Sequence, residues 1–274
     1  MNQLPRAAAQ RSTNLQAAST IMTPNANTVY VITGGNRGIG LGLVKALLAR
    51  PSTSVIATVR NDEAARDLGE EIAAAAGVGD GSGLDMITLD LSRAPSPEQV
   101  GQAVADLGHD HVDVLINNAG MSSPMVPAAQ TAADDLRAAF EVNSIAPLMV
   151  FQGLWPMLQK SARPKVVMMT SSVGCITLQE LSGGSYGPSK AALNWITRAL
   201  HLQNEESGLV AVALHPGWVQ TGMGEQAARD WGYTQQPPET VQASVMGILE
   251  VVDGATRDTV SGTMVTFQGQ VLPW

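Results

Sequence analysis

The sequence predicts a single α/β domain built on a doubly wound parallel sheet of about seven strands flanked by helices. Short apolar runs, mostly of β-branched residues, alternate with longer segments of helical periodicity, which is typical of strand–helix–strand units. Several runs, such as VYVIT and VDVLIN, are almost continuously apolar, as expected for strands covered by helices on both faces. A glycine-rich segment follows the first run directly. Together these features indicate a Rossmann-type fold.

The predicted elements follow one another without an internal repeat or low-complexity linker. The strands cover residues 28–33, 54–60, 85–90, 112–117, 165–171, 209–215 and 263–267. The helices are predicted at about 38–50, 61–76, 96–108, 131–160, 186–206 and 238–252. Residues 28–274 are therefore predicted to form one domain.

Composition and charge exclude several classes of function. The chain has 274 residues, of which 45% are hydrophobic, enough to bury one substantial core. Its net charge of −8 disfavours binding to nucleic acids and anionic membranes. The sequence has no apolar run of about 18 residues that would span a bilayer. We therefore expect a small-molecule substrate, and no nucleic-acid or membrane partner.

Residues that form disulfides or bind metals are few. Cys175 is the only cysteine, so the chain forms no internal disulfide, which suits a reducing compartment such as the cytoplasm. We expect Cys175 to be a small packing residue. His109 and His111 flank Asp110, but no third ligand follows at the spacing of a metal site. A solvated loop is the preferred interpretation, and no metal is expected.

Residues 1–27 differ in composition from the rest of the chain. They contain Arg6 and Arg11 but no acidic residue, and the first acidic residue of the chain is Asp62. We expect a disordered or loosely docked N-terminal arm. An acid-poor start with arginine and serine also fits a mitochondrial transit peptide, which is the alternative to a cytoplasmic location.

The segment TGGNRGIG follows the first predicted strand and leads into a predicted helix. Glycines permit positive φ and close approach of the backbone to a pyrophosphate, and a helix start offers unpaired N–H groups and a positive dipole end. The spacing is G-x-x-x-G-x-G, not the better-known G-x-G-x-x-G, and a simple tight turn is the alternative. We predict a dinucleotide-binding loop. The loop residues predicted to bind the cofactor are Gly34, Asn36, Arg37, Gly38, Ile39 and Gly40.

Two arginines favour NADPH (or NADP+) over NADH as the cofactor. An NAD site usually has an acidic residue after the second strand to bind the ribose 2′-hydroxyl, and Arg60 stands at that place. With Arg37 in the glycine loop, it supplies two guanidiniums for a 2′-phosphate. The alternatives are that Asp62 binds the ribose, or that both arginines are solvated surface residues.

Further cofactor contacts are expected where the third and fourth strands end. Asp90 and Leu91 lie in TLDLS, where the Asp90 carboxylate is placed to accept a hydrogen bond from an adenine amino group. In the following NNAG motif, Ala119 and Gly120 are small enough to let a cofactor lie close. Asn117 is placed to bond to a neighbouring strand or to ribose. Capping of a strand end is the alternative for Asp90 and Asn117.

Tyr186 and Lys190 are four residues apart, so they share one face if a helix begins near Tyr186. A free phenol has a pKa of about 10 and a nearby ammonium lowers it, so Tyr186 is the predicted general acid for a carbonyl oxygen. Tyr186 and Lys190 are also predicted to contact the cofactor, Lys190 through the nicotinamide ribose. Ser171 or Ser172, at the end of the fifth strand, is placed to share that oxygen, although serines there also form turns. Asn143, unfavourable inside the predicted helix 131–160, is predicted to anchor water or backbone for a proton relay.

Residues 218–237 are a candidate substrate lid. They include Trp218, Met223, Trp231 and Tyr233, in a chain with only 4% aromatic residues. A lid that excludes water during hydride transfer favours bulky, flat ketones, because stacking rewards planar area. The alternative is a helix that packs its aromatic side chains on the core.

Taken together, these motifs resemble those of the short-chain dehydrogenase/reductase family, from about residue 28 to the end. The resemblance rests on TGGNRGIG at 33–40, NNAG at 117–120, Asn143, SSVG at 171–174, YGPSK at 186–190 and HPGWVQTGMG at 215–224. It implies that Tyr186 is the general acid, Lys190 its pKa-lowering partner and Asn143 the water-holding member of a tetrad. It implies Ser171, three residues before Gly174, as the catalytic serine, with Ser172 as the alternative.

The resemblance also implies that the loop after the sixth strand holds the nicotinamide carboxamide, through Pro216, Gly217, Val219 and Thr221. Within the family, the chain is similar to fungal ketoreductases of the norsolorinic acid ketoreductase type and to carbonyl-reductase-like enzymes. The similarity rests on the segments RPSTSVIATVRN, HPGWVQTGMGEQAAR and the final LPW. The intact NNAG and SSVG motifs, however, resemble the general family pattern more than the norsolorinic acid ketoreductase type. That particular substrate therefore does not carry over, and aromatic polyketide chemistry is only a suggestion.

The predicted function is an NADP-dependent ketoreductase acting on an aromatic or polyketide-type ketone in fungal secondary metabolism, as a homodimer or homotetramer. A broad-specificity carbonyl reductase or alcohol dehydrogenase is the alternative. A non-catalytic NADP-binding sensor has no need for Tyr186, Lys190, Ser171 and Asn143 together. Epimerases and dehydratases that use the same tyrosine and lysine usually add a larger C-terminal substrate domain, for which the roughly 50 residues after Val219 leave no room.

Overall fold

The computed structural model describes residues 27–75, 77–178 and 181–274. The predicted N-terminal arm, residues 1–27, lies outside these residues except for Asn27. The Asn27 side chain donates to Ser54 Oγ at 3.0 Å and to the Gly81 carbonyl at 2.7 Å. Asn27 is thus joined to the domain at the start of the first strand.

Within these residues, eight strands form one sheet. They are β1 (Thr28–Ile32), β2 (Thr53–Val59), β3 (Gly83–Thr88), β4 (Val114–Asn117), β5 (Lys165–Met169), β6 (Val210–His215), β7 (Met264–Thr266) and β8 (Val271–Leu272). The strand order is β3-β2-β1-β4-β5-β6-β7-β8, and only the β7–β8 pair is antiparallel. The predicted doubly wound parallel sheet is confirmed. The prediction of about seven strands missed β8, because two residues show no periodicity.

Eight α-helices connect the strands in the described part of the chain. They are α1 (Gly38–Leu48), α2 (Asp62–Ala73), α3 (Pro97–Ala105), α4 (Ala133–Phe140), α5 (Ala146–Leu158), α6 (Tyr186–Gln203), α7 (Gly222–Asp230) and α8 (Val241–Gly254). Helices α1, α2 and α8 pack on one face of the sheet, and α3, α5 and α6 pack on the other. None of the helices in the described segments combines the length and the apolar character that a membrane crossing needs.

The predicted single helix over residues 131–160 is wrong, because a π-helical turn at Glu141–Ile145 separates α4 from α5. Pro147 stands at the start of α5 and has no N–H to donate to the carbonyl of Asn143, four residues before it. Such π turns often occur at functional sites. Asn143 therefore lies in a widened turn and not in a regular helix.

The strand order places the candidate site. It reverses between β1 and β4, and a doubly wound sheet binds its ligand at the carboxyl ends of the strands at such a switch. The segments predicted to bind cofactor or substrate all follow the carboxyl ends of the parallel strands from β1 to β6. They therefore meet at one edge of the sheet.

Candidate active site

The glycine loop between β1 and α1 has the backbone of an anion-binding turn. Gly34 and Gly38 adopt φ of +69° and +55°, which side chains disfavour. A Cβ on Gly40 would lie 2.1 Å from the Gly34 carbonyl oxygen, so only glycine fits. The N-cap residue Arg37 makes no side-chain cap to α1, and the first turn holds no acidic residue. The N–H groups of this turn are therefore placed for a phosphate, and the site fits a dinucleotide.

Three polar residues that the sequence-based site prediction left out hold this loop in place. The Asn118 side chain donates to the carbonyls of Thr33 and Gly34 at 2.9 and 3.2 Å. Thr33 Oγ1 accepts from the Ala119 N–H, and Thr58 Oγ1 accepts from the Gly34 N–H. These bonds tie the loop after β1 to the ends of β2 and β4. The NNAG motif is the sequence signal that could have identified Asn118.

Arg37 and Arg60 are both exposed at the predicted place for a 2′-phosphate, beyond β1 and β2. Asp62 is the first residue of α2, where the positive end of the helix dipole stabilises a carboxylate. Its position is therefore explained without a ribose. The pKa of the exposed Asp90 carboxyl is lowered by hydrogen bonds from Ser92, with added attraction from Arg60. Arg60 therefore lies on the side of the site where β2 and β3 end.

The Asn117 side chain follows one of its two predicted alternatives, a bond to a neighbouring strand. It is 2% exposed and donates to the Pro147 carbonyl at 3.1 Å and to Met168 Sδ at 3.3 Å, so it joins β4 to α5 and to β5. The physical reason is its register in β4, which turns the side chain inward. Leu91 is also buried, at 9% exposure. Ala119 and Gly120 remain partly exposed, as a cofactor surface requires.

Tyr186 and Ser171 come together although 15 positions separate them in the sequence. Ser171 begins a 3-10 turn after β5 and accepts from the Val173 N–H at 3.2 Å. Burial raises the pKa of Tyr186 to about 12, and a hydrogen bond with the Ser171 side chain opposes this rise. Of the two candidate serines, Ser171 is thus the one whose hydroxyl contacts the phenol. The next residue, Ser172, donates its backbone N–H to His215 Nδ1 at 3.3 Å.

Lys190 lies one helical turn after Tyr186, as the spacing predicts, and is 3% exposed. Its Nζ donates to the Met169 carbonyl at 2.7 Å and lies 5.5 Å from the centre of the Tyr186 ring. Burial lowers the pKa of Lys190 to about 7. The pKa of Tyr186 is raised and not lowered as predicted, because its own burial disfavours the phenolate more than the hydrogen bond with Ser171 favours it.

Asn143 lies beneath these residues and is fully buried. Its side chain accepts from the Met121 N–H and donates to the Met121 carbonyl, each at 2.9 Å, and it also donates to Ser189 Oγ at 3.0 Å. A Cβ on Gly120 would lie 3.2 Å from Asn143 Oδ1 and 3.5 Å from Lys190 Nζ. Asn143 therefore links the loop after β4 to α6, next to the lysine.

The loop after β6 faces the glycine loop across the site. A Cβ on Gly38 would lie 3.4 Å from Thr221 Cγ2, so the two loops approach closely. Gly217 has φ of +88°, and the Pro216 carbonyl accepts from Ser244 Oγ at 2.7 Å. Val219 is 4% exposed, so any contact that it makes with a cofactor involves mainly its backbone.

His215 was missing from the predicted site residues although it begins the HPGWVQTGMG motif. Burial lowers its pKa to about 4, so the imidazole is neutral and Nδ1 accepts from Ser172. It holds the turn that carries Ser171.

The candidate lid contains α7, so its middle is helical as in the alternative interpretation. Its aromatic rings pack mainly on one another: Trp218 lies 5.5 Å from Trp231 and 4.9 Å from Tyr233, edge to face. Tyr233 is 55% exposed. Trp231 Nε1 donates to the Ser182 carbonyl at 2.9 Å, four residues before Tyr186. Met223 lies in the first turn of α7 and is partly exposed. Contact of these residues with substrate stays a prediction.

The remaining candidates lie elsewhere. His109 pairs with Asp85 at 2.9 Å and His111 with Asp110 at 2.8 Å. Within the described part of the chain, no three histidine, cysteine or acidic residues group together as metal ligands. Cys175 is 1% exposed and its Sγ contacts the Pro273 carbonyl at 2.9 Å, in agreement with a packing role.

Comparison with known proteins agrees with this geometry. The family described as short chain dehydrogenase matches residues 28–231. The short-chain dehydrogenase RED3 of Pyricularia oryzae is 36% identical over 90% of this chain and 99% of its own length. The norsolorinic acid ketoreductase of Aspergillus parasiticus is 36% identical over 92% of this chain and 93% of its own.

Solved structures give the same result. The NADPH-bound carbonyl reductase from chicken fatty liver aligns with a TM-score of 0.76 and 31% identity, covering 91% of this chain and 100% of that one. The chain therefore belongs to the short-chain dehydrogenase family and is an oxidoreductase.

Proposed function

We propose that this protein is an NADPH-dependent ketoreductase that reduces a bulky ketone to an alcohol. The observation that carries the proposal is that Tyr186 contacts both Ser171 and Lys190, with Asn143 bonded to Ser189 next to the lysine. A binding protein without chemistry has no use for a buried lysine with a lowered pKa next to a tyrosine.

The protonation states suit reduction of a ketone. With a pKa of about 12, Tyr186 keeps its proton at neutral pH and can donate it to a carbonyl oxygen. Ser171 contacts the same phenol and is placed to share the charge that develops on that oxygen. Lys190, with a pKa of about 7, exchanges a proton readily near neutrality and can return one to Tyr186. When bound, the reduced nicotinamide supplies the hydride.

The choice of NADPH rests on charge. Arg37 and Arg60 are exposed where the 2′-phosphate would lie, and Asp62 has a separate explanation as the first residue of α2. Arginine binds a phosphate through paired, charge-assisted hydrogen bonds. The solved carbonyl reductase to which the chain is similar has NADPH bound, which supports the same choice here.

The substrate class rests on the aromatic lid residues. Trp218 and Trp231 are partly exposed and Tyr233 is 55% exposed, so part of their surface is open to a planar substrate. One relative is named norsolorinic acid ketoreductase. An aromatic or polyketide-type ketone of fungal secondary metabolism is the substrate we favour. A broad-specificity carbonyl reductase is the second candidate, supported by the likeness to carbonyl reductase.

We also propose a cytoplasmic homodimer or homotetramer. Helix α6 exposes two large apolar side chains, Trp195 at 72% and Leu202 at 59%, and such surfaces often mark contacts between subunits. Light scattering after size-exclusion chromatography would measure the mass, and a monomer at micromolar concentration would refute the oligomer.

A direct assay tests the enzymatic proposal. Purified protein is mixed with NADPH or NADH and a panel of aliphatic, aromatic and polycyclic ketones, and the loss of reduced-cofactor absorbance is followed. We expect turnover with NADPH and the highest kcat/KM with a polycyclic ketone. Equal turnover of all ketones would favour the broad-specificity reductase, and binding of NADPH without turnover of any ketone would refute the proposal.

A further inference from the structure

Three segments near Tyr186 are joined pairwise by hydrogen bonds. They are the loop 121–127, residues 182–184 and the candidate lid. The loop after β4, residues 121–127, accepts from the Gly184 N–H through the Val126 carbonyl at 3.1 Å. The segment before Tyr186 is joined to the lid by the bond from Trp231 Nε1 to the Ser182 carbonyl. The third pair is joined by the bond from the Met125 N–H to Asp230 Oδ2, at 2.9 Å. Only this third bond, which we name the latch, depends on a charged side chain.

Asp230 is poorly explained by the stability of its own helix. It is the last residue of α7, where the negative end of the helix dipole repels a carboxylate. Both of its carboxylate oxygens nevertheless accept a hydrogen bond. Oδ2 accepts from the Met125 N–H, and Oδ1 accepts from Gln226 Nε2 at 2.6 Å. The Gln226 bond comes from the preceding turn of α7 and fixes the carboxylate so that it points toward the neighbouring loop.

Met125, which donates the latch bond, lies in the same loop as a residue bonded to Asn143. Met125 is 5% exposed, and a buried N–H group without an acceptor is costly. Four residues earlier in the same loop, Met121 is held at its N–H and carbonyl by Asn143, which also bonds Ser189 beside Lys190. The loop 121–127 is therefore held at one end by the proton-relay residue and at the other by the lid.

We propose that Asp230 is a positioning residue that fastens the lid to the loop 121–127 and so holds a bulky ketone against Tyr186. The inference rests on the proposed ketoreductase function. The latch lies at the last residue of α7, whereas the contact with the glycine loop is made by Thr221 before the first residue of α7, so the latch affects recognition of the body of a large substrate. A small ketone that contacts only Tyr186 and Ser171 does not need it. The lid residues predicted to contact the cofactor, Val219 and Thr221, lie before the first turn of α7, at the end opposite to Asp230.

The test compares Asp230→Ala with Asp230→Asn, which keeps one oxygen acceptor for Met125. In Asp230→Ala we expect the ratio of kcat/KM for a polycyclic ketone to that for a small aliphatic ketone to fall about tenfold, since one bond to a charged acceptor is lost. The Kd for NADPH should stay unchanged, and Asp230→Asn should restore most of the ratio. Asp134→Ala is the matched control, because Asp134 is 95% exposed and pairs only with Arg137 on its own helix.

Hydrogen–deuterium exchange provides a readout that needs no substrate. The Met125 amide should exchange at least about tenfold faster in Asp230→Ala than in the wild type, while amides of β1 stay protected. Faster exchange with no ketone turnover in the wild type would refute the ketoreductase and leave the latch established. Unchanged exchange at Met125, or an equal loss of kcat/KM for both ketones, would overturn the role given to Asp230.

Discussion

Replacing Lys190 by methionine should increase the free energy of unfolding of the cofactor-free protein below pH 7. The same variant should have no reductase activity when NADPH is supplied. Burial lowers the pKa of Lys190 from 10.5 to about 7, and each pKa unit corresponds to about 1.4 kcal/mol. Holding the charged ammonium in the fold below pH 7 therefore costs about 4–5 kcal/mol. Methionine loses the bond to the Met169 carbonyl, which costs about 1–3 kcal/mol. The net gain expected at about pH 6 is roughly 2 kcal/mol.

The pH dependence separates this effect from simple repacking. Between about pH 7 and 10.5 the unfolded chain binds a proton at Lys190 that the folded protein does not. The penalty therefore disappears as pH rises, and wild-type stability gains about 1.4 kcal/mol per pH unit from this group. The variant lacks that gain, so its advantage should vanish near about pH 9.

Urea unfolding of both proteins at about pH 6, 7.5 and 9 measures the difference in the free energy of unfolding. Lys45→Met is the matched control, because Lys45 makes a partly exposed pair with Glu71 worth about 0–1 kcal/mol. A Lys190→Met variant that is less stable than the wild type at about pH 6, or whose difference from it does not change with pH, would refute the reasoning.

Three further variants test the site. Tyr186→Phe should lower kcat about 10²–10⁴-fold without changing the Kd for NADPH, because only the proton donor is lost; near-normal turnover in a steady-state assay would contradict the role of Tyr186. Arg60→Ala should weaken NADPH about 10- to 100-fold by loss of a charge-assisted phosphate contact and leave NADH unaffected, as titration calorimetry would show; equal losses would argue against the 2′-phosphate site. Trp231→Ala, which removes the Ser182 bond and the Trp218 contact, should raise KM for a polycyclic ketone and spare an aliphatic one. A uniform loss with a lower Tm would instead show a structural role.

The prediction of the fold succeeded where the signal is local. Apart from β3, whose sequence GLDMIT is mostly not buried, the strands from β1 to β7 are apolar runs that can be recognised from neighbouring residues. The glycine loop lies between β1 and α1 as its sequence indicates. The short strand β8 and the π turn at Glu141–Ile145 were missed. The pairing of β8 depends on β7, and the π turn depends on packing around Asn143 and on Pro147, so neither has a periodicity of its own.

Within the site, the sequence by itself determined which residue types are present and in what order. The spacing of Tyr186 and Lys190 is set by one helical turn, and the positive φ of Gly34 and Gly38 is a property of glycine. The tertiary structure decided which serine contacts Tyr186, the inward direction of Asn117, the part of His215, and the pKa values of about 12 and about 7 for Tyr186 and Lys190. These properties come from burial and from contacts between residues far apart in the chain, and only the packed fold creates those environments.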